Sequence, residues 1–173
     1  MRRVLIVVDM LNGFCHPDGA LYAGEKARAI IPFVGGKIKE YNKDGSEVIF
    51  LADSHHEGDP EFKRFPPHCL KGSWEAQLVD ELKDKAGNEK IIEKTRFSGM
   101  YNTPLAAELK HAKPDLIEVV GVCTNICVLY TVESLRNRDY TVRVHKQGVA
   151  SFDDEAHEFA LKQMDTVLGA EVV

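Results

Sequence analysis

The pattern of hydrophobic and polar residues alternates between short apolar runs and segments with helical spacing. The run over residues 4–8 is continuous and mostly β-branched, and it ends at Asp9. Such a run is typical of a strand buried on both faces of a parallel sheet. Further apolar runs predict strands over residues 47–52, 89–94, 116–122 and 140–144, and a final edge strand over residues 170–173.

The segments between these strands carry apolar residues at helical spacing. They predict helices over residues 25–41, 74–82, 103–109, 124–138 and 153–164, and residues 54–72 are a polar, Pro- and His-rich stretch typical of a functional loop. Strands that alternate with helices imply right-handed crossovers between parallel strands. The predicted fold class is α/β, a doubly wound, mostly parallel sheet of about six strands with helices on both faces. We expect a single domain over residues 1–173.

Composition narrows the classes of function. The chain has 173 residues, 44% hydrophobic and 28% charged, which supports a packed core and excludes disorder and coiled coil. The net charge of −5 and the lack of a basic stretch argue against nucleic acid as a partner. The longest apolar run is too short to cross a membrane. We therefore expect a cytoplasmic protein whose four cysteines are thiols.

Candidate catalytic residues follow the predicted strands. In open α/β sheets, ligands bind outside the carboxyl ends of the strands. Asp9, Asp53 and Lys94 end the first three strands, and the fourth runs into Cys123 and Cys127. Cys127 falls in the first turn of a predicted helix, where free N–H groups lower the pKa of a thiol. The other interpretation is that both cysteines are small buried hydrophobes.

Asp9 and Lys94 also have two interpretations. They can form a plain salt bridge at the strand ends, since ion pairs are common there. Alternatively, Asp9 is the general base for a thiol and the general acid for a leaving amine, and Lys94 keeps Asp9 ionised.

The loop after the second strand carries candidate metal ligands. Asp53, His55, Glu61 and His68 combine the carboxylate and imidazole ligands that suit a divalent ion. Cys69 adjoins them as a competing soft ligand, and solvated surface histidines are the alternative. The glycines form neither a G-x-G-x-x-G nor a Walker-type pattern, so a nucleotide site lacks its usual motif.

Five segments together resemble one family. They are VVDMLNGF over residues 7–14, DSH over 53–55, PPHCLKG over 66–72, KTRFSG over 94–99 and GVCTNICV over 121–128. In this order, and spanning nearly the whole chain, they resemble the isochorismatase-like cysteine hydrolases, and most of all their nicotinamidase branch.

The resemblance implies a catalytic triad of Asp9, Lys94 and Cys127, with Cys127 as the nucleophile. It also implies a cis peptide bond between Val122 and Cys123. The N–H groups of Cys123 and Cys127 then point to one place and form an oxyanion hole.

The resemblance also implies a metal and a substrate site. The family's ligands map onto Asp53, His55 and His68, with Glu61 as an additional carboxylate. The cofactor implied is a divalent ion, zinc before manganese or iron. Phe14 and Phe65 take the positions of aromatic rings that flank a flat substrate ring.

The activity implied is hydrolysis of a small carboxamide, nicotinamide to nicotinate and ammonia in NAD salvage, by a homo-oligomer. One alternative keeps the triad and changes the substrate to another amide, a ureido acid or an N-carbamoyl compound. An alternative from another class is a receiver-like signalling module, which is also doubly wound. A receiver usually has adjacent acids after its first strand, whereas Met10 follows Asp9 here.

Overall fold

The computed structural model describes residues 1–86 and 90–173, and its centre is one parallel sheet. The strands are β1 (Arg3–Val8), β2 (Glu47–Asp53), β3 (Lys90–Lys94), β4 (Leu116–Val122), β5 (Val142–Ala150) and β6 (Glu171–Val172). Their spatial order is β3-β2-β1-β4-β5-β6, and each neighbouring pair is parallel. The predicted α/β fold with about six strands is confirmed. Residue 89, the first of the predicted third strand, lies outside the described residues.

Helices cover both faces of this sheet. They are α1 (Asn12–Cys15), α2 (Glu25–Ala29), α3 (Ile31–Asp44), α4 (Asp80–Ala86), α5 (Leu105–Ala112), α6 (Leu129–Arg136) and α7 (Asp154–Thr166). A 3₁₀ turn spans Pro60–Lys63, and a π-helical turn spans Thr124–Val128 between β4 and α6. In the described part of the chain, every helix is too short or too polar to pass through a bilayer.

The central strand β1 shows why the apolar runs form this sheet. Leu5 and Val7 belong to the core that β1 shares with α3, whereas Val4, Ile6 and Val8 belong to the core on the opposite face. All five side chains are at most 2% exposed. A strand that is buried on both faces needs a continuous apolar run, which is the pattern of its sequence.

The helix predicted over residues 74–82 is wrong, because a helix forms only from Asp80. The preceding residues lie against α1 instead. The N–H of Asn12 donates to the carbonyl of Gln77 at 2.9 Å, and the N–H of Gly13 donates to that of Glu75 at 3.0 Å. These long-range hydrogen bonds satisfy backbone groups that a local helix would otherwise pair.

Two other predicted boundaries also differ. The helix expected over residues 25–41 is divided into α2 and α3 at Ile30, and Pro32 lies in the first turn of α3. Proline has no N–H to donate, so it fits the start of a helix and not its interior. Strand β5 continues six residues beyond Val144 to Ala150, after a register shift against β4.

Candidate active site

The carboxyl ends of β1 and β2 hold two carboxylates together. Asp9 directly follows β1 in a left-handed conformation, with φ 49°. Its N–H donates to the carbonyl of Leu51 at 2.9 Å, and its Oδ1 accepts the N–H of Asp53 at 3.0 Å. The backbone of β2 therefore fixes the carboxylate of Asp9 beside that of Asp53.

Lys94, at the end of β3, connects these acids to the thiol. Its fully buried Nζ lies 2.8 Å from Asp9 Oδ2, forms an ion pair with Asp53, and is 3.5 Å from Cys127 Sγ. The contact with Asp9 was expected, and the one with Asp53 was not. Burial lowers the pKa of Lys94, but the two carboxylates outweigh burial and raise it well above its usual value. Lys94 is therefore a cation.

The acid–base state of Asp9 differs from that of Cys127. Burial and the nearby charge of Asp53 raise the pKa of Asp9 to about 6, against the opposing effect of Lys94. Burial raises the pKa of the Cys127 thiol well above its usual value, although Lys94 lowers it. The net shift is therefore opposite in direction to the lowered pKa expected from the helix N-terminus. In the resting protein, Cys127 is a thiol, and Asp9 is ionised at neutral pH.

A proton acceptor nevertheless lies close to the sulfur. Asp9, Asp53 and Cys127 each offer an oxygen or sulfur atom within 4.8 Å of the other two. Among the described residues, Asp9 Oδ2 has no aligned hydrogen-bond donor despite its proximity to Lys94. This oxygen can therefore accept a proton.

The turn that carries Cys127 follows a cis peptide bond and is fixed by backbone hydrogen bonds to the carbonyl of Cys123. The Val122–Cys123 peptide bond is cis, as the resemblance implies. The carbonyl of Cys123 accepts the N–H groups of Ile126 at 3.0 Å and Val128 at 3.2 Å. This pairing forms the π-helical turn in place of the regular helical start expected from the sequence.

Two residues outside the cavity also hold this turn, and neither was predicted. His157 Nδ1 lies 2.8 Å from the hydroxyl of Thr124, and the Ser151 hydroxyl donates to Asn125 Oδ1 at 2.6 Å. Ser151 lies between β5 and α7, and His157 lies in α7. Because both are remote from the turn along the chain, the sequence gave no signal of these contacts.

The reactive groups open into a cavity of about 320 Å³. Phe14 and Phe65, the predicted substrate-binding rings, both line it, as do Asp9, Cys123 and Cys127. Its other apolar and aromatic lining residues were missed from sequence; they include Leu21, Tyr22, Phe97, Ile126 and Phe152. The cavity therefore suits a small, flat, apolar molecule with one polar group directed at Cys127.

The four predicted metal ligands come together at one side of this cavity. Asp53, His55, Glu61 and His68 each provide a ligand atom within 4.8 Å of the other three. His55 Nε2 lies 3.5 Å from Asp53 Oδ2, and His68 Nε2 lies 3.8 Å from Asp53 Oδ2 and from Glu61 Oε1. Cys69 is not part of this group, because its Sγ contacts the carbonyl of Glu75.

The orientation of both imidazoles fits a divalent cation. His68 Nδ1 lies 2.9 Å from the carbonyl of Pro66, and His55 Nδ1 lies 3.2 Å from Asp59 Oδ2. Both Nε2 atoms therefore face the other ligands, the usual arrangement for histidines that bind metal. Within the described residues, the buried Nε2 of His55 has no hydrogen-bond partner. Two nitrogen and two oxygen donors suit zinc and similar ions.

Known proteins share this sequence and architecture over the full length. The isochorismatase domain family matches residues 3–173. The isochorismatase family protein PncA of Bacillus subtilis (strain 168) is 37% identical over 181 residues, which cover 99% of each chain. The crystal structure of nicotinamidase/pyrazinamidase PncA from Bacillus subtilis superposes with a TM-score of 0.95 at 33% identity and covers 100% of both chains.

A second similar structure was determined with a metal. The pyrazinamidase of Pyrococcus horikoshii in complex with zinc is 28% identical, with a TM-score of 0.91, and covers 100% of this chain and 99% of its own. Together with the family match over nearly every residue, these similarities establish that the chain belongs to the isochorismatase family.

Proposed function

We propose that this protein is a cysteine-dependent amidohydrolase that converts nicotinamide and water to nicotinate and ammonia. Its full-length similarity to proteins named nicotinamidase and pyrazinamidase supports the amide-hydrolase class. The observation that carries the proposal is the grouping of Asp9, Lys94 and Cys127 at an aromatic cavity, with the pKa of Asp9 raised to about 6. An acid with this pKa can both accept and return a proton near neutrality.

The first step is attack by sulfur on the amide carbon. Asp9 accepts the proton of the Cys127 thiol as the carbon–sulfur bond forms. The cationic Nζ of Lys94, 3.5 Å from Sγ, stabilises the negative charge that develops on sulfur. Because the thiol is protonated at rest, proton transfer to Asp9 is required for the attack.

The second step breaks the carbon–nitrogen bond. The amide oxygen, which became an oxyanion when sulfur attacked, accepts hydrogen bonds from the N–H groups of Cys123 and Cys127, and its double bond to carbon re-forms as the nitrogen leaves. One such donor is typically worth about 2.7–4 kcal/mol. The nitrogen takes the proton from Asp9 and leaves as ammonia, and a thioester remains on Cys127. Water, activated by Asp9, then releases nicotinate, and the proton on Asp9 returns to sulfur.

Phe14 and Phe65 orient the ring of the substrate in this scheme. Both line the cavity, and each packs edge-on against His68, with ring centroids 5.7 and 6.4 Å apart. Asp53, His55, Glu61 and His68 would hold the divalent ion. When bound, the ion supplies a Lewis-acidic contact for the ring nitrogen, directly or through water. Zinc is the proposed ion, and manganese and iron suit the same ligands.

The cavity favours a flat ring over the other candidate substrates. A ureido or N-carbamoyl acid carries a carboxylate, which cationic side chains usually bind. The residues described around the cavity include neither arginine nor lysine. A receiver-like role is disfavoured because it leaves Cys127 and the four grouped metal ligands without a use.

Ammonia release from a panel of amides tests the activity. We expect nicotinamide and pyrazinamide to be hydrolysed faster than ureido acids or N-carbamoyl compounds. Cys127→Ala removes the nucleophile and lowers kcat by at least about a thousandfold. Cys69→Ala, a truncation of another buried cysteine outside the cavity, is the matched control and leaves kcat unchanged. Undiminished ammonia release by folded Cys127→Ala would contradict the mechanism.

The remaining expectations concern the protein in the cell. We propose a homo-oligomer, which light scattering of the purified protein tests. We also propose a cytoplasmic location, as the sequence predicts, and a place in NAD salvage, which follows from the proposed substrate. Localisation of a tagged protein, and growth on nicotinamide as the only pyridine source, test them.

A further inference from the structure

Asp59 lies behind the candidate metal ligands and makes three kinds of contact. Its Oδ2 is 3.2 Å from His55 Nδ1, and its Oδ1 accepts the backbone N–H of Glu61 at 2.9 Å. Both oxygens also contact Arg96 Nη1, at 3.0 and 3.2 Å. The carboxylate is only 7% exposed although it belongs to a surface loop. Removing a carboxylate from water costs free energy, and these three partners offset that cost.

We propose that Asp59 is a positioning residue that orients two of the four metal ligands, His55 and Glu61. This inference rests on the metal site proposed above. For His55, the contact with Asp59 keeps the proton on Nδ1 and leaves the lone pair of Nε2 directed at the metal. Carboxylates that hold histidines in this manner increase the basicity of the ligand and fix the ring.

The second contact acts on Glu61 through the backbone. Asp59 is the N-cap of the 3₁₀ turn Pro60–Lys63, and Glu61 is the second residue of that turn. A capped turn has a defined start, so the backbone position of Glu61 is fixed relative to His55. Since Glu61 Oε1 lies 3.8 Å from His68 Nε2, this cap keeps the Glu61 carboxylate beside the other ligands.

Arg96 connects this arrangement to the catalytic strand. It lies two residues after Lys94, and its guanidinium neutralises the buried charge of Asp59. The loop that carries His55, Glu61 and His68 is thus joined by an ion pair to the segment after β3. Lys94, at the end of β3, also contacts the fourth ligand, Asp53. A change at Asp59 is therefore expected to act on metal binding more than on the nucleophile.

The affinity of the protein for Zn²⁺, measured by competition with a chelator, tests this role without use of the activity. Asp59→Ala is expected to weaken binding about 10–100-fold, the range usual for such supporting residues. Glu57→Gln removes one negative charge from an exposed position in the same loop. It is the control for a general charge effect and is expected to change the affinity less than twofold.

Asp59→Asn separates positioning from loop stability. The amide oxygen still caps the turn but carries no charge, so the variant folds and binds Zn²⁺ with an affinity between those of wild type and Asp59→Ala. Melting temperatures with and without Zn²⁺ complete the test. A purely structural role lowers both temperatures equally, whereas a positioning role reduces the increase that Zn²⁺ produces.

Two outcomes overturn the inference. If both Asp59 variants bind Zn²⁺ within twofold of wild type, Asp59 only caps the loop. If the wild-type protein itself binds no Zn²⁺, the proposed metal site fails and the role of Asp59 fails with it. Neither result decides the amidase mechanism, which the Cys127→Ala comparison tests separately.

Discussion

Two carboxylic acids, Asp9 and Glu118, are equally buried in this protein and have opposite acid–base properties. Each is 1% exposed; Asp9 follows β1, and Glu118 lies in the amino-terminal half of β4. Burial and Asp53 raise the pKa of Asp9 to about 6. Burial also raises the pKa of Glu118, but hydrogen bonds with His145 and Lys37 outweigh it and lower the pKa to about 2.

The two acids differ in the balance of charges around them. Glu118 has four cationic or potentially cationic neighbours between 2.6 and 3.7 Å: Arg3, Lys37, Arg143 and His145. Asp9 and Asp53 share Lys94. An acid with an excess of cations stays ionised and serves structure, whereas two acids that share one cation leave one of them able to exchange protons near neutrality. Burial alone does not distinguish a reactive carboxylate from a structural one.

The largest effect that tests this difference is expected for Asp9→Asn. The amide has the shape of the carboxylate but cannot accept the thiol proton, so kcat should fall about 10²–10⁴-fold. Ammonia release at saturating nicotinamide measures the loss, and circular dichroism checks that the variant is folded. A kcat within tenfold of wild type would remove Asp9 from the mechanism.

The reverse is expected for Glu118→Gln. Loss of the charge that contacts Arg3, Lys37, Arg143 and His145 should lower the free energy of unfolding by about 1.5–3 kcal/mol, and kcat per folded molecule should not change. Urea unfolding measures the first quantity and ammonia release the second. If kcat instead falls as far as in Asp9→Asn, the separation between structural and reactive acid is wrong.

As the pH is lowered, Asp9 should be protonated before Glu118, so activity and stability should be lost at different pH values. Asp9 becomes protonated below about pH 6, so kcat/KM falls about tenfold per pH unit below that value. Glu118 has a lowered pKa, so its stabilising contribution is complete above the ordinary value of 4.5 and is lost as the pH falls toward about 2. At pH 5 the protein should therefore be weakly active but folded, and activity should return on neutralisation. Unfolding that coincides with the loss of activity would contradict this order.

The smallest expected effect concerns two phenylalanines, one at the cavity and one near Glu118. Phe65 lies 6.4 Å from His68 at the cavity, and Phe33 lies 5.5 Å from His145 near Glu118. Phe65→Leu removes one stacking surface and should raise KM for nicotinamide about 2- to 10-fold with little change in kcat. Phe33→Leu is the matched control, for which steady-state kinetics should show an unchanged KM. Equal KM values for the two variants would exclude Phe65 as a substrate contact.

Much of the fold could be predicted because the strands carry strong local signals. Strand β4 has the predicted bounds, since a run of apolar residues, interrupted only by Glu118, lies between Asp115 and Cys123. Strand β5 was predicted too short, because polar residues and Gly148 continue it after Val144. These residues are part of the strand because of its pairing with β4 and β6, and no local sequence pattern reveals that pairing. Residues 74–79 gave a false helix for the same reason, since their partners lie in α1.

The candidate site likewise contains residues that could be predicted from the sequence and residues that could not. Groups at strand ends, such as Asp9, Asp53 and Lys94, could be predicted to lie at one edge of the sheet, because parallel strands end there. The ion pair between Lys94 and Asp53 was not predicted. Asp59, Arg96 and Phe97 lie in loops whose path depends on tertiary contacts, and spacing gave no sign of them. The pKa of Cys127 could not be predicted either, because it depends on how completely the folded chain excludes water from the sulfur.

The order of the strands has a consequence for the maturation of the protein. The groups around Lys94 come from the ends of β1, β2 and β3 and from the turn after β4, which are neighbours in the sheet. The first of these strands to be synthesised, β1, lies between β2 and β4. A nascent chain that lacks any one of these strands cannot bring the candidate site together. Turnover is therefore expected to require the pairing of all four strands.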